Sequence, residues 1–273
     1  MLGARGIPQL GPAPVFLSTW AALCFVERRD RAAGFLAGLG VAAKLYPVFV
    51  CVAFVLDRFR TGSRRAAGTI TGWALAAVLI VNLPVAIVVP SAWSLFFRFN
   101  TTRPPSPGSI WFGGCGRTGT VACVSDDVVG ALSLAAFLVV SGFVFVAKRR
   151  REPEFAGWTL AFPLLVAFVL TSKVYSPQYT LWLLPWFALV FPDVRTWAAL
   201  AVTDVAVHLS ELSWLGEQSG FGGASSTTLR AAVILRAAAL IWCLVRWVRM
   251  PAQPVAVRRR SLSPRSELLG STG

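Results

Sequence analysis

The chain has 273 residues, is 56% hydrophobic and only 14% charged, and has a mean hydropathy of +0.65. Soluble domains carry roughly 25% charged residues, and apolar runs of bilayer-spanning length recur here from end to end, which excludes a separate soluble domain between them. The net charge of +14 would suggest nucleic acid in a soluble protein, but it falls in short clusters between apolar runs, the pattern of cytoplasmic membrane loops. The expected partner is therefore a lipid bilayer and not nucleic acid.

The opening MLGARGIPQLGPAPV has neither the charged start nor the cleavage site of a signal peptide. A first apolar run covers about Pro12–Val26 and ends at ERRDR (27–31). A second, 32–56, is flanked by basic clusters on both sides and broken by KLYP (44–47). One straight helix cannot return to the side it left, so the run is expected to be a hairpin of two short helices. Lys44 and Pro47 then lie at its outward tip, where proline removes a backbone donor and restricts the residue before it. The run 66–89 goes outward, and 90–127 reads as a long polar loop. The run 128–147 returns to KRRRE (148–152), 156–171 goes out again, and TSKVYSPQY (171–179) marks a second outer turn. The remaining segments are 180–192 inward, 195–212 outward, an outer loop ELSWLGEQSGFGGASST (211–227), and 228–248 inward. The fold class is thus all-α, a polytopic integral membrane protein of about nine segments, two of the connections being short broken hairpins. Residues 1–250 form the membrane domain and 251–273 a basic, disordered cytoplasmic tail. Of 26 Lys and Arg residues, 18 fall in the inner loops and tail and seven at the outer edge. By the positive-inside rule this puts the N-terminus outside and the C-terminus in the cytoplasm of a multi-pass plasma-membrane protein.

Ionisable groups at membrane depth are costly and usually face a polar cavity. The outer edge collects Lys44 and Tyr46 from the first tip, Lys173, Tyr175, Ser176, Gln178 and Tyr179 from the second, and Arg98, Asn100 and Arg103 after the aromatic run Trp93, Phe96, Phe97. Arg236, in the last helix, points toward the same region. Cations and hydroxyls beside aromatic rings suit a phosphate whose tail stays in lipid; the competing explanation is snorkelling to the headgroups. Outer carboxylates are fewer. Asp126 and Asp127 precede a helix and read as an N-cap. Asp204, His208 and Glu211, spaced by four and three, share a helix face. Asp127 and Glu211 are the candidates for a general base. Cys115 and Cys123 lie in one Gly-rich outer loop and are candidates for a disulfide on an oxidising side of the membrane. No metal site is expected, because the one histidine, His208, is far from these cysteines, and no cofactor is expected either.

GLGVAAKLYPVF (38–49), NLPVA (82–86) with SAWSLFFRFN (91–100), and SKVYSPQYTLWLLPW (172–186) resemble glycosyltransferase family 87, of the GT-C superfamily. The resemblance covers about residues 12–190. It implies a GT-C-like helical bundle with its active site on the extracytoplasmic face. It also implies transfer of a sugar, mannose in many relatives, from a polyprenyl-phosphate donor to a cell-envelope glycan or glycolipid acceptor. Lys44, Tyr46, Lys173 and Tyr179 would line the donor pocket. Such enzymes carry a catalytic acidic residue in the first outer loop, and relatives have an Asn-Trp-Asp stretch before the Lys-containing hairpin. This chain opens at GIPQLGPAP, about where that stretch should end. A shortened gene product is therefore expected, and with it no sugar transfer by this polypeptide alone. The alternatives are a catalytically incomplete membrane protein that still binds a lipid phosphate, or a transporter or flippase, a class in which paired broken helices recur.

Overall fold

The computed structural model describes residues 12–112 and 125–251. The described chain is overwhelmingly helical. In order, it forms α1 (Pro12–Val26), α2 (Asp30–Ala43), α3 (Val48–Arg60), α4 (Arg64–Val88), α5 (Pro90–Thr102) and α6 (Asp126–Arg151). A 3-10 turn at Gly157–Leu160 leads into α7 (Ala161–Thr171), followed by α8 (Tyr179–Val190), α9 (Val194–Gln218) and α10 (Ser226–Arg249). Four helices, α4, α6, α9 and α10, are by length and composition able to cross a membrane, and α1, Gly157–Thr171 and α8 are shorter apolar helices. At 1.5 Å per residue the 25 residues of α4 reach about 37 Å, more than the ~30 Å hydrocarbon core of a bilayer.

The sequence explains most of these boundaries. The second apolar run is a helical hairpin broken at KLYP: Lys44 is extended at φ −156°, ψ 146°, and Pro47, which has no N–H to leave unpaired, caps the start of α3. Asp193 caps α9 by accepting from the backbone N–H groups of Arg195 and Thr196 at 3.1 and 3.3 Å, and Ser225 caps α10 through Thr228 at 3.3 Å.

Two boundaries differ from the sequence reading. Residues 90–102, expected in a polar loop, form α5. Pro90 at its first position is pre-set for a helix and needs no donor there, and the aromatic run behind it continues the helix. Helix α9 runs through Gln218, beyond the expected end at 212, so Glu217 is helical and not in the outer loop. ELSWLGEQ carries a single glycine, Gly216, whose cost of about 1 kcal/mol the helix absorbs, and it stops before the glycines at 220, 222 and 223.

The buried centre is α7, where nine of eleven residues are inaccessible. It packs on α10, α6, α8 and α3. A helix apolar all round needs neighbours on every side. Helices α2 and α4 meet closely because Gly34 and Gly38 present no side chain: a Cβ at either would overlap the backbone of Ile70 or Ala74. Small residues four apart allow such close approach in membranes. The outward faces are apolar, with Ile87, Val139 and Phe143 at least 70% exposed, as expected of a lipid-facing surface.

The basic loops gather at one end of the bundle. Arg58, almost fully buried, donates to Asp30 at 2.7 and 2.9 Å and to the Phe25 carbonyl at 3.0 Å. Arg60 donates to the carbonyls of Pro153 and Phe155 at 2.6 and 3.3 Å. Lys148 donates to the Met250 carbonyl at 2.6 Å, at the negative end of α10, and Arg246 donates to Asp193 at 3.0 Å. The KLYP tip and the SKVYSPQY turn lie at the opposite end.

Candidate functional site

The turn 172–178 connects α7 to α8 and gathers contacts from across the chain. Proline at 177 interrupts the helical run, and the Ser172 hydroxyl accepts from the Val174 N–H at 3.2 Å, which holds the turn open. The loop after α5 docks onto it. Ser106 N–H donates to the Lys173 carbonyl at 3.0 Å, the Ser106 hydroxyl accepts from Tyr175 N–H at 2.6 Å, and Trp111 Nε1 donates to the Thr171 carbonyl at 2.7 Å.

The first hairpin reaches this turn from the other side. Lys44 Nζ donates to Gln178 Oε1 at 2.7 Å and sits 5.2 Å from the centre of the Trp182 ring. Gln178 in turn donates through Nε2 to the Ser176 hydroxyl at 3.1 Å. Trp182 is sandwiched between Tyr46 and Tyr179, with centroids 4.1 and 4.0 Å away and ring planes 12° and 26° apart. Its indole N–H is buried with no hydrogen-bond partner among the described residues. Lys44, Tyr46, Ser176, Gln178 and Tyr179 therefore form one continuous patch. No carboxylate pairs with Lys44 among the described residues.

Lys173 belongs to the same turn but faces elsewhere. Its ammonium is buried and donates to the carbonyls of Thr101 at 2.8 Å and Asp126 at 3.4 Å, tying the end of α5 to the start of α6. Tyr175 lies deeper still. Its hydroxyl donates to Asp204, and its ring is covered by the Arg236 guanidinium, 3.6 Å from the centroid. Asp204 also accepts from the Thr180 hydroxyl at 2.5 Å, and Arg236 Nη1 lies 3.9 Å from its carboxylate. Arg236 is 2% exposed and donates through Nη2 to the Gly108 carbonyl at 2.5 Å.

The α5 residues are more peripheral. Arg98 is exposed and bonds its own helix at Ser94 Oγ, 3.1 Å away, and Asn100 donates to the Phe96 carbonyl at 2.8 Å. Arg103 lies over the Phe99 ring at 5.3 Å.

The carboxylates divide by environment. The N-cap of α6 is Ser125 and not the aspartates. Asp126 and Asp127 occupy the first turn, where their charge meets the positive end of the helix. Asp127 is exposed. On α9, Asp204 is buried, Glu211 is half-buried against Gly108 and His208 is exposed. Cys115 and Cys123 lie outside the described residues; Cys24, Cys51 and Cys243 are free thiols, the first and last buried.

Residues 4–177, more than half of the chain, match the model of glycosyltransferase family 87. The chain belongs to that family. No curated protein and no solved structure matches it.

Within this family 87 chain, the residue that sequence reasoning passed over is Trp182, which the stack makes the floor of the patch. Its signal was available: Tyr179 and Trp182 are three apart on α8, so both face the same way. The Asp204–Tyr175 bond carried no such signal, because it joins residues on different elements.

Proposed function

We propose that this glycosyltransferase takes its sugar from a polyprenyl-phosphate donor, mannose being the sugar, and passes it to a cell-envelope glycan or glycolipid on the extracytoplasmic face of the plasma membrane. In this reading α1, α2, α3, α7 and α8 complete a GT-C-like set of nine membrane segments, with the basic end in the cytoplasm. The observation that carries it is the Lys44–Gln178 contact over Trp182, at the end away from the basic loops. An ammonium beside a polar amide and an aromatic floor suits a phosphate monoanion whose isoprenoid tail remains in lipid. Glycosyl transfer leaves charge on the departing phosphate, and Lys44 is placed to stabilise it. Tyr179, half-buried at the edge of the stack, offers an aromatic ring against which a sugar can pack, while buried Tyr46 backs Trp182 from the other side. Lys173 supports the site from below by fixing the turn.

A second reading, donor binding without catalysis, is favoured by one observation. A general base must come within hydrogen-bond reach of the acceptor hydroxyl. Among the described residues Asp204 is committed to Tyr175 and Thr180, and of the other carboxylates at this end, Asp126, Asp127, Glu211 and Glu217, the candidates are exposed Asp127 and half-buried Glu211. The test separates the two readings. Purified protein in proteoliposomes is given polyprenyl-phosphate-[14C]mannose and a mannose-bearing acceptor, and donor binding and product are measured in parallel. Binding with product that Lys44→Ala abolishes supports the enzyme, and the base is then the one of Asp127→Ala and Glu211→Ala that removes product and spares binding. Binding without product supports the second reading. No binding contradicts both.

A further inference from the structure

A cleft of about 760 Å³ opens at the basic end, on the opposite side of the bundle from the Lys44 patch. It lies between the end of α1, the end of α3, the end of α6 and the 3-10 turn. Its lining includes four arginines, Arg28, Arg58, Arg60 and Arg149, and two carboxylates, Asp57 and Glu154. The arginines are of two kinds. Arg58 and Arg60 are fixed into the walls: Arg58 by Asp30 and the Phe25 ring, 4.0 Å away, and Arg60 by two carbonyls and the Phe155 ring, 4.2 Å away. Asp57 is also committed, accepting from the Trp158 N–H at 3.2 Å and lying 3.7 Å from Arg58. Arg28 and Arg149 are exposed and pair with no carboxylate among the described residues. Arg28 has φ +63°, a left-handed conformation uncommon outside glycine, at the sharp corner between α1 and α2.

The rim of this cleft is apolar where it meets the lipid-facing surface. On α3, Val52, Leu56 and Phe59 are exposed at spacings of four and three, one continuous stripe ending at the cleft. On α6, Val139, Phe143 and Val146 form a second stripe at the same spacings. Positive charge in a concave site, with apolar tracks leading from it along the helices, matches a molecule with an anionic head and two acyl chains. Basic pockets between membrane helices on the cytoplasmic side bind such headgroups.

We propose that this cleft binds the phosphodiester headgroup of an anionic phospholipid from the adjacent leaflet, with Arg28 and Arg149 as its ligands. Arg60, held by carbonyls, supplies fixed positive charge in the wall, the charge of Arg58 being offset by Asp30 and Asp57, and the acyl chains follow the α3 and α6 stripes. The site is separate from the proposed sugar-donor patch and does not depend on that assignment.

The test uses the full chain in phosphatidylcholine nanodiscs doped with phosphatidylglycerol, with retained lipid counted by native mass spectrometry after detergent exchange. Wild type is expected to retain phosphatidylglycerol in preference to phosphatidylcholine. The Arg28→Ala/Arg149→Ala variant is expected to lose that retention about 30-fold, the factor carried by two interfacial cations. Arg195→Ala, an exposed arginine at the same end outside the cleft, is expected to leave it unchanged. Circular dichroism confirms that each variant keeps its helices; if the double variant does not, Arg149→Gln alone is expected to lower retention about fivefold. Equal retention by wild type and the folded cleft variant would overturn the proposal. So would an equal loss in Arg195→Ala, which would show diffuse attraction, or displacement of the lipid by free glycerol phosphate at equal concentration, which would show a soluble ligand.

Discussion

Asp204→Ala gives the sharpest test of how the turn is held. The substitution removes the acceptor used by the hydroxyls of Tyr175 and Thr180 and the carboxylate beside Arg236. Arg236 would keep the Gly108 carbonyl and the Tyr175 ring, but it remains 2% exposed with Nε and Nη1 lacking hydrogen bonds. The ion pair is long at 3.9 Å, so the two hydroxyl bonds to a charged group, about 1.5–3 kcal/mol each, carry the larger share. Breaking a buried pair from one side costs about 3–5 kcal/mol, and the loss is expected in that range. Asp204→Asn keeps one acceptor oxygen and is expected to cost about half as much. The assay is unfolding in mixed micelles with increasing SDS, followed by tryptophan fluorescence. A double-mutant cycle with Arg236→Met should show a coupling of at least about 1 kcal/mol, since the two groups share Tyr175 as a neighbour. A cost within about 0.5 kcal/mol of wild type, or strict additivity in the cycle, would refute the claim that this cluster braces the turn.

Other outcomes follow from particular contacts. Gly38→Ala is expected to destabilise the protein by about 1–3 kcal/mol in the same unfolding assay, because the new methyl overlaps the Ala74 carbonyl; Gly72→Ala, where the new methyl would meet nothing within 4 Å beyond its own stretch of helix backbone, is expected to be neutral or mildly stabilising. The Asp193 carboxyl is held below its usual range, first by the Arg246 guanidinium and then by the Thr196 hydroxyl. A depressed folded value stabilises above the unfolded pKa and is lost as pH falls through the folded one, so the stability gap between wild type and Asp193→Asn should be present at pH 7 and close below about pH 4. Cys115 and Cys123 are expected to pair on the extracytoplasmic side. In intact cells they should react with an impermeant maleimide only after reduction, and labelling that needs permeabilisation as well would overturn the topology.

Much of the architecture was legible because it follows from local rules. The KLYP break, the long apolar runs and the basic loops each rest on residues adjacent in sequence, and α1 falls at the expected Pro12–Val26. Helix α5 was missed because its aromatics and arginine look like an interfacial loop, while Pro90 acts as a helix starter. The end of α9 is not legible at 212 because Glu217, beside the glycines, reads as loop charge, although the helix carries it on into Gln218. The candidate site was legible as a region, since both tips carry Lys, Tyr and Pro. Its division of labour was not. Whether a lysine faces a patch or two backbone carbonyls depends on where Thr101 and Asp126 come to rest, and that is set by the packing of α5 and α6 on the turn.

A crosslinking map locates the lipid-phosphate donor on the protein. A polyprenyl-phosphate with a photoreactive group in its first isoprene unit is bound to the purified protein in lipid, irradiated, and the modified peptides are read by mass spectrometry. Saturable labelling is expected on residues 44–46 and 175–182, competed by unmodified polyprenyl-phosphate and reduced about tenfold by Lys44→Ala, the effect of one charge-assisted contact to phosphate. Labelling confined to residues 26–31, 57–61 and 148–158 at the basic end, or labelling unaffected by competitor, would contradict a donor site at Lys44.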